Sequence, residues 1–193
     1  MFRQEADLWF TLNHSNVIKL YGACYEGRQP FFVCERATSM TLTKYLDPKE
    51  GRSREKWFRL LQAAHGLQHL HDNNIVHGDL KGDNILICDG GAMKIADFGL
   101  SLFATRPPGE ETQTVTGRAP WGKVNAGAIK YAVTKERKMP SRPPTFETHE
   151  WDLVEHMCCY DPQQRIGIGA VIKILEDIGI RDLIENSSYR TCA

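Results

Sequence analysis

The stretch that decides the fold is HGDLKGDN at residues 77–84, which is followed by DFG at residues 97–99. Asp79 lies five residues before Asn84, and Asp97 lies thirteen residues after Asn84. A three-residue match such as DFG occurs often by chance. An aspartate, an asparagine and a second aspartate at these two spacings form a much more specific pattern.

The residues around this stretch predict a hairpin and a long helix. The runs ILIC (85–88) and MKIA (93–96), separated by the turn 89–91 with its two glycines, predict a β-hairpin between the two segments. Upstream, we expect a helix from an N-cap at Ser53 to about His71. Its apolar residues repeat at helical spacing, at Trp57, Leu60, Leu61, Ala64, Leu67 and Leu70.

Hydrophobic periodicity and turn residues predict the other elements of the chain. They are a helix over 2–13, a hairpin of the runs 17–24 and 30–34 with its turn at 26–28, a short helix over 41–46, a loop over 105–122 and helices over about 126–133, 148–159 and 169–178.

Composition and charge exclude several classes of protein. Lys plus Arg and Asp plus Glu number 24 each, so the formal net charge is zero and no overall attraction to nucleic acid is expected. We expect no signal peptide, because residues 1–10 show no cationic start followed by a long apolar core. We expect no membrane segment, because no stretch reaches the roughly 18 apolar residues that a span requires. The 6 cysteines form no C-x-x-C pair, and most stand in apolar runs. They are expected to be buried thiols in a reducing, cytoplasmic setting.

The stretch resembles the protein-kinase signature H-R-D-L-x-x-x-N followed by D-F-G. Lys81, two residues after Asp79, is similar to the Ser/Thr type, and residues 77–81 and 151–165 look like the tyrosine-kinase-like group. The resemblance implies that Asp79 accepts the proton of the substrate hydroxyl and that Lys81 contacts the γ-phosphate of ATP. It also implies that Asn84 and Asp97 hold Mg²⁺. The implied partners are ATP and a protein substrate.

The same resemblance covers the adenine end of the expected site. Residues 30–35, PFFVCE, resemble the strand that enters the kinase hinge. Cys34 then stands at the gatekeeper position, and the backbone at Glu35 and Ala37 is expected to meet adenine. Leu86 is expected to pack under the base.

Three further positions resemble kinase positions. Glu5 matches the glutamate of helix αC, and Trp9 matches a residue that packs on the phenylalanine of DFG. Gly78 replaces the arginine that usually pairs with a phosphorylated activation loop. Phosphorylation in the following loop would therefore lose its usual partner. The threonines of that loop are expected to be ordinary loop residues, namely Thr105, Thr112, Thr114 and Thr116.

The fold implied by the resemblance is α+β and kinase-like. We expect a partial N-lobe, made of αC and a β-hairpin, and a mostly helical C-lobe that lacks helix αF. The expected boundaries are an N-lobe remnant over 1–34, a hinge over 35–40, a C-lobe over 41–180 with an internal deletion near 109–116, and a tail over 181–193.

Several kinase parts are expected to be missing. The residues before Glu5 hold no Gly-rich loop and no V-A-I-K strand, and residues 102–126 show neither A-P-E nor αF. Arg165, which normally pairs with the A-P-E glutamate, is expected to face solvent or to leave its charge uncompensated. We therefore expect impaired phosphoryl transfer. The alternatives are a non-catalytic pseudokinase or scaffold, and the product of an incomplete gene model. Intact Asp79 and Asp97 favour a deletion or a missed exon over gradual decay.

Overall fold

The computed structural model describes residues 2–27, 29–46, 55–103 and 126–188. The helices are α1 (Phe2–Phe10), α2 (Leu42–Tyr45), α3 (Lys56–Asp72), α4 (Ala126–Thr134), α5 (Thr148–Met157) and α6 (Ile168–Ser188). The strands are β1 (Leu20–Cys24), β2 (Phe31–Cys34), β3 (Ala37–Thr41), β4 (Ile75–Val76), β5 (Ile85–Cys88), β6 (Met93–Ile95) and β7 (Leu102–Phe103). Helices and small sheets are mixed along the chain, as the expected α+β class requires. None of the helices in these ranges is long and apolar enough to cross a lipid bilayer.

Both predicted hairpins are confirmed. Strands β1 and β2 pair antiparallel, and the turn between them contains Gly27 with a φ of 103°, a conformation that glycine adopts without steric cost. Strands β5 and β6 also pair antiparallel, and β3 adds to the other edge of β5. Leu86 and Lys94 are directly opposite partners in that second hairpin, so their side chains lie on one face of it.

Three clusters of buried apolar side chains hold these elements together. The first joins α1, β1 and the end of α3 to the strand that precedes Phe98. The second lies between α3, α5 and α6 and includes Trp57, Phe146 and Leu175. The third packs α2 against the β5–β6 hairpin. Helix α3 therefore contributes side chains to all three clusters.

The segment between α1 and β1 docks onto α3 at a glycine. A Cβ placed on Gly66 would lie 2.4 Å from the backbone oxygen of Asn16, so only a residue without a side chain allows this approach. Asn16 is buried and links the segment to β6. Its side-chain nitrogen donates to the oxygen of Met93 at 2.9 Å, and its backbone oxygen accepts from the nitrogen of Ile95 at 2.9 Å.

Several predicted boundaries are wrong. Helix α1 ends at Phe10, three residues before the predicted end. Helix α3 begins at Lys56 after Glu55, whose side chain makes no capping bond, and the predicted cap Ser53 lies outside the described residues. Helix α6 continues to Ser188, well beyond the predicted end at 178 and into the predicted tail. The loop over 105–122, with its threonines and the predicted join at 109–116, also lies outside the described residues.

The cysteines and Arg165 give mixed outcomes. All five described cysteines are free, but Cys34 is exposed, and Cys88 alone among them is fully buried. The prediction of buried thiols is thus wrong for Cys34, because its strand has a largely exposed face. The half-buried Arg165 donates from Nε to the oxygen of Cys159 at 2.7 Å and from Nη2 to the oxygen of Tyr160 at 3.4 Å. These carbonyl dipoles solvate a charge that was expected to be exposed or uncompensated.

Candidate active site

Three predicted catalytic and ligand residues lie together in the loop after β4. Lys81 Nζ is 2.5 Å from Asp79 Oδ2, and Asn84 Nδ2 donates to Asp79 Oδ2 at 3.1 Å and to its backbone oxygen at 2.9 Å. A short 3₁₀ turn over Gly82–Asn84 brings Asn84 back towards Asp79. The hydrogen bond from Lys81 and then that from Asn84 help to lower the pKa of Asp79 below its usual range. Asp79 is therefore an ionised acceptor at neutral pH.

A buried histidine joins this loop to the segment that carries Asp97. Burial lowers the pKa of His77, so its imidazole is neutral at pH 7. The hydrogen bonds assign its tautomer, since Nε2 lies 3.0 Å from the Ala96 oxygen and Nδ1 accepts from the Asp79 nitrogen at 3.3 Å. The backbone nitrogen of Ala96 in turn donates to the backbone oxygen of Asn84 at 2.8 Å. Asp79, Asn84 and the residue before Asp97 are thus held in one network.

Asp97 and Phe98, which follow this network in the chain, differ in their exposure to solvent. Asp97 is exposed and has a φ of 67°, a left-handed conformation that aspartate tolerates better than most residues. Phe98 is completely buried, with its ring 5.3 Å from that of Trp9 and 5.4 Å from that of His77. The predicted contact between Trp9 and Phe98 is confirmed. The buried ring anchors a segment whose carboxylate faces solvent.

Glu5 reaches the same segment from helix α1. A Cβ placed on Gly99 would lie 3.5 Å from Asp97 Oδ1 and 3.7 Å and 3.8 Å from the two carboxylate oxygens of Glu5. Burial, and then the negative charge of Asp97, raise the pKa of Glu5 above its usual range. The structure thus brings Glu5 close to Gly99, and its match to the αC glutamate stays a prediction. Two carboxylates around one glycine produce a local excess of negative charge.

The residues predicted for the adenine end lie around the link between β2 and β3. Glu35 and Arg36 form this link, and Ala37 begins β3 opposite Cys88 of β5. The Glu35 nitrogen donates to the Lys19 oxygen at 2.8 Å. Leu86 is partly buried against the first cluster. β5 connects the two ends of the site, because it begins directly after Asn84 and contains Leu86.

Comparison with known proteins decides the family. A family model described as "Protein kinase domain" matches residues 1–121. The chain belongs to the protein kinase family.

Individual kinases match about half of the chain at modest identity. A putative leucine-rich repeat receptor-like serine/threonine-protein kinase of Arabidopsis thaliana is 43% identical over 111 residues, covering 54% of this chain and 12% of that protein. The calmodulin-binding receptor-like cytoplasmic kinase 3 of the same plant is 34% identical over 119 residues, covering 58% of this chain and 23% of that protein. An Aurora kinase of Dictyostelium discoideum is 36% identical over 104 residues, covering 53% of this chain and 27% of that protein. The chain thus spans about a quarter or less of the length of these kinases.

Membership of the kinase family implies ATP and Mg²⁺, and the residues present fit that ion. Asn84 and Asp97 offer amide and carboxylate oxygens, and Asn84 uses its nitrogen, not its oxygen, to bind Asp79. Among the described residues, no group of three or more His, Cys, Asp or Glu is placed to hold a metal. Proteins usually bind Mg²⁺ through one or two side chains together with substrate phosphates.

Sequence reasoning missed two residues of the candidate site. His77 was noted only as part of the motif, although its two ring nitrogens connect the catalytic loop to Ala96. Lys94 was not singled out, yet it pairs with Glu35 at the adenine end. Side chains alternate between the two faces of a strand, so Lys94 lies on the face of β6 opposite to that of Met93 and Ile95. The pairing of the predicted hairpin then places Lys94 on the same face as Leu86 of β5.

Proposed function

We propose that this chain is the core of a Ser/Thr protein kinase of the tyrosine-kinase-like group, which transfers the γ-phosphoryl group of ATP to protein hydroxyls. The observation that carries the proposal is the network of Asp79, Lys81 and Asn84, tied through Ala96 to Asp97. Lys81 two residues after Asp79 supports a Ser/Thr acceptor, and the wording of residues 77–81 supports the group.

Each side chain of the network has a role in this reaction. Asp79, ionised and partly exposed, accepts the proton of the attacking hydroxyl and orients its oxygen. The Lys81 ammonium, already beside Asp79, would place positive charge next to the negative charge of the transferred phosphoryl group. Asn84 and Asp97 would hold Mg²⁺, which supplies charge neutralisation for the phosphates when it is bound.

At the other end, the backbone at Glu35 and Ala37 would bind the adenine edge, with Leu86 below the ring. The partly buried Leu86 offers apolar surface there, and β3 and β5 hold the segment by their pairing. Adenine binding to one end of β5 and phosphates to the other would orient ATP along this strand.

We further propose that phosphoryl transfer by the 193-residue chain is impaired. No A-P-E motif followed by an αF-like helix pattern occurs between residues 102 and 126. Kinases use that region to bind the protein substrate, whereas the contacts of Asp79, Asn84 and Asp97 described above come from residues 5–99. The expected defect is therefore slow transfer to protein, with nucleotide binding retained.

Nucleotide binding is tested by thermal unfolding of the purified chain with and without Mg–ATP. At a nucleotide concentration about 100 times Kd, binding stabilises the folded state by about 2.7 kcal/mol. For a chain of this size, that corresponds to a rise in Tm of roughly 5–10 °C. Asp97→Asn should abolish the rise, and Asp89→Asn, a matched change at an exposed turn residue, should retain it. No rise with the unaltered chain would refute the nucleotide site and favour an incomplete gene product.

Transfer is tested with ATP labelled in the γ-phosphate and a generic Ser/Thr protein acceptor. A weak signal that Asp79→Asn removes and Asp83→Asn retains would support the proposal, since Asp83 is an exposed acid of the same loop. ATP binding without any Asp79-dependent transfer would instead support the scaffold alternative. Turnover in the range of about 1–100 s⁻¹ that is typical of active kinases would refute the proposed impairment.

A further inference from the structure

An ion pair connects strand β6 to the link between β2 and β3. Lys94 Nζ lies 2.7 Å from Glu35 Oε1 and 2.8 Å from Oε2, so one ammonium bridges both carboxylate oxygens. The side chains retain only 14% and 24% of their exposure. Water and salt screen such a pair less than a surface pair.

The surroundings make Glu35 the anionic partner of Lys94. Burial raises the pKa of the Cys88 thiol to about 11, and the charge of Glu35 contributes to the rise, so Cys88 stays neutral. Cys34 is exposed as a whole residue, but partial desolvation of its thiol and then the charge of Glu35 raise its pKa too. Neither thiol therefore offers a competing negative charge to the ammonium.

The position of the pair in the fold relates it to the nucleotide. Lys94 is the cross-strand partner of Leu86, so it lies on the hairpin face expected to support the adenine base. Glu35 begins the two-residue link whose backbone is expected to meet the edge of that base. Three residues after Lys94, the same strand leads to Asp97, a proposed Mg²⁺ ligand.

We propose that Lys94 is a positioning residue for adenine recognition, which holds the backbone of residues 35–37 in place through its bidentate pair with Glu35. The inference rests on the proposed nucleotide-binding function and extends it to base selectivity. On one side, the link is held by the bond from the Glu35 nitrogen to the Lys19 oxygen, and on the other by the pairing of Ala37 with Cys88. The Lys94 pair supplies a third fixed point between them. Without it, binding of the base has to order this backbone, which weakens affinity.

The first test measures amide hydrogen exchange at residues 36 and 37 without nucleotide. Lys94→Met should accelerate exchange at both amides, while the amides of β1 remain protected. Lys19→Met is the matched control, because Lys19 Nζ bonds Asn13 at 3.2 Å and its side chain does not hold Glu35. This control should leave exchange unchanged. If Lys94→Met does not unfold cooperatively, Glu35→Gln replaces it, since this change removes the charge and keeps the shape.

The second test measures Kd for Mg–ATP and Mg–GTP. Lys94→Met should weaken ATP binding by roughly 3- to 10-fold, the equivalent of about one hydrogen bond, and change GTP binding by less than about 2-fold. A general loss of structure would weaken both nucleotides equally. The exchanged pair Glu35→Lys with Lys94→Glu should recover part of the ATP affinity that either single change removes.

The outcomes separate this inference from the proposed function. Unchanged exchange at residues 36 and 37 in Lys94→Met overturns the inference, whatever the nucleotide result. Equal ATP affinity of Lys94→Met and the unaltered chain overturns it too, and leaves the proposed function standing. An unaltered chain that binds no ATP refutes the proposed function and the inference with it.

Discussion

Replacing Gly66 with alanine tests how the N-terminal half of the chain docks onto helix α3. The new Cβ would lie 2.4 Å from the Asn16 oxygen and 3.2 Å from both the Asn16 carbonyl carbon and Ile95 Cδ1. The nearest atom is backbone, so it cannot rotate away as a flexible side chain would. The segment at Asn16 must move, and the bond between the Asn16 oxygen and the Ile95 nitrogen, 2.9 Å long, must stretch or break.

The net effect follows from three opposing contributions. Alanine is favoured over glycine inside a helix by about 1 kcal/mol. Overpacking a well-packed site costs about 1–3 kcal/mol. A buried amide left without its partner costs about 1–3 kcal/mol more. The steric and hydrogen-bond costs exceed the helical gain, so Gly66→Ala should destabilise the protein by roughly 1–5 kcal/mol.

Urea unfolding followed by circular dichroism measures this change, with Gly179→Ala as the matched control. Gly179 also lies inside a helix, α6, but no atom lies within 4 Å of a Cβ placed there. The control should raise the unfolding midpoint, corresponding to about 0.5–1 kcal/mol, while Gly66→Ala lowers it. A midpoint for Gly66→Ala that is equal to or above that of the unaltered chain would refute the described docking of Asn16 on α3.

Three further changes test other parts of the structure by the same unfolding midpoint. Gly78→Ala places a Cβ 2.5 Å from the Leu100 oxygen at a φ of 80°, and Gly90→Ala has nearly the same φ, 83°, with no atom within 4 Å. Both changes should lower the free energy of unfolding by about 1–2 kcal/mol because of the left-handed conformation. Gly78→Ala should lower it further, and equal losses would contradict the contact with Leu100. Trp57→Phe removes the donor to the buried Glu150 carboxylate, a bond of 2.9 Å, and should cost about 1–3 kcal/mol; an unchanged midpoint would show that this bond contributes nothing. Lowering the pH from 7.5 to 5.5 should destabilise the protein, because the unfolded chain takes up protons near the ordinary histidine pKa of about 6.5 while burial holds the folded pKa lower. Stability present above that pH is then lost as the pH falls towards the folded pKa, and a flat profile would contradict the burial of His14, His71 and His77.

The hairpins and the catalytic loop could be predicted because their determinants are local. Short apolar runs separated by glycine-containing turns predicted both β-hairpins, and the structure contains them. The resemblance of residues 77–84 to the kinase signature predicted a shared site for Asp79 and Asn84, and a single 3₁₀ turn is sufficient to bring them together. The predicted contact of Trp9 with Phe98 spans 89 positions of sequence. It was predicted through resemblance to kinases, since no local pattern connects the two residues.

Features that depend on tertiary contacts escaped prediction. Gly78 has a left-handed backbone and lies so close to Leu100 that a Cβ would not fit, and no local pattern indicates this approach. The bond from Lys94 to Glu35 joins residues 59 positions apart. Cys34 lies in an apolar run but is exposed, because the β1–β2 sheet has only two strands among the described residues. The predicted division into lobes, hinge and tail stays a prediction.

The distribution of contacts argues that the two ends of the proposed reaction depend on different parts of the chain. The described hydrogen bonds and ring contacts of Asp79, Asn84 and Phe98 come from residues 9–101, and the first cluster supports them. Helices α5 and α6 pack on α3 at the second cluster and share no described bond with these residues. Small losses of packing in the second cluster should therefore lower global stability and leave the affinity for Mg–ATP in the folded protein unchanged. Since the first cluster also includes Ile95, two residues before Asp97, the same losses in the first cluster should lower both.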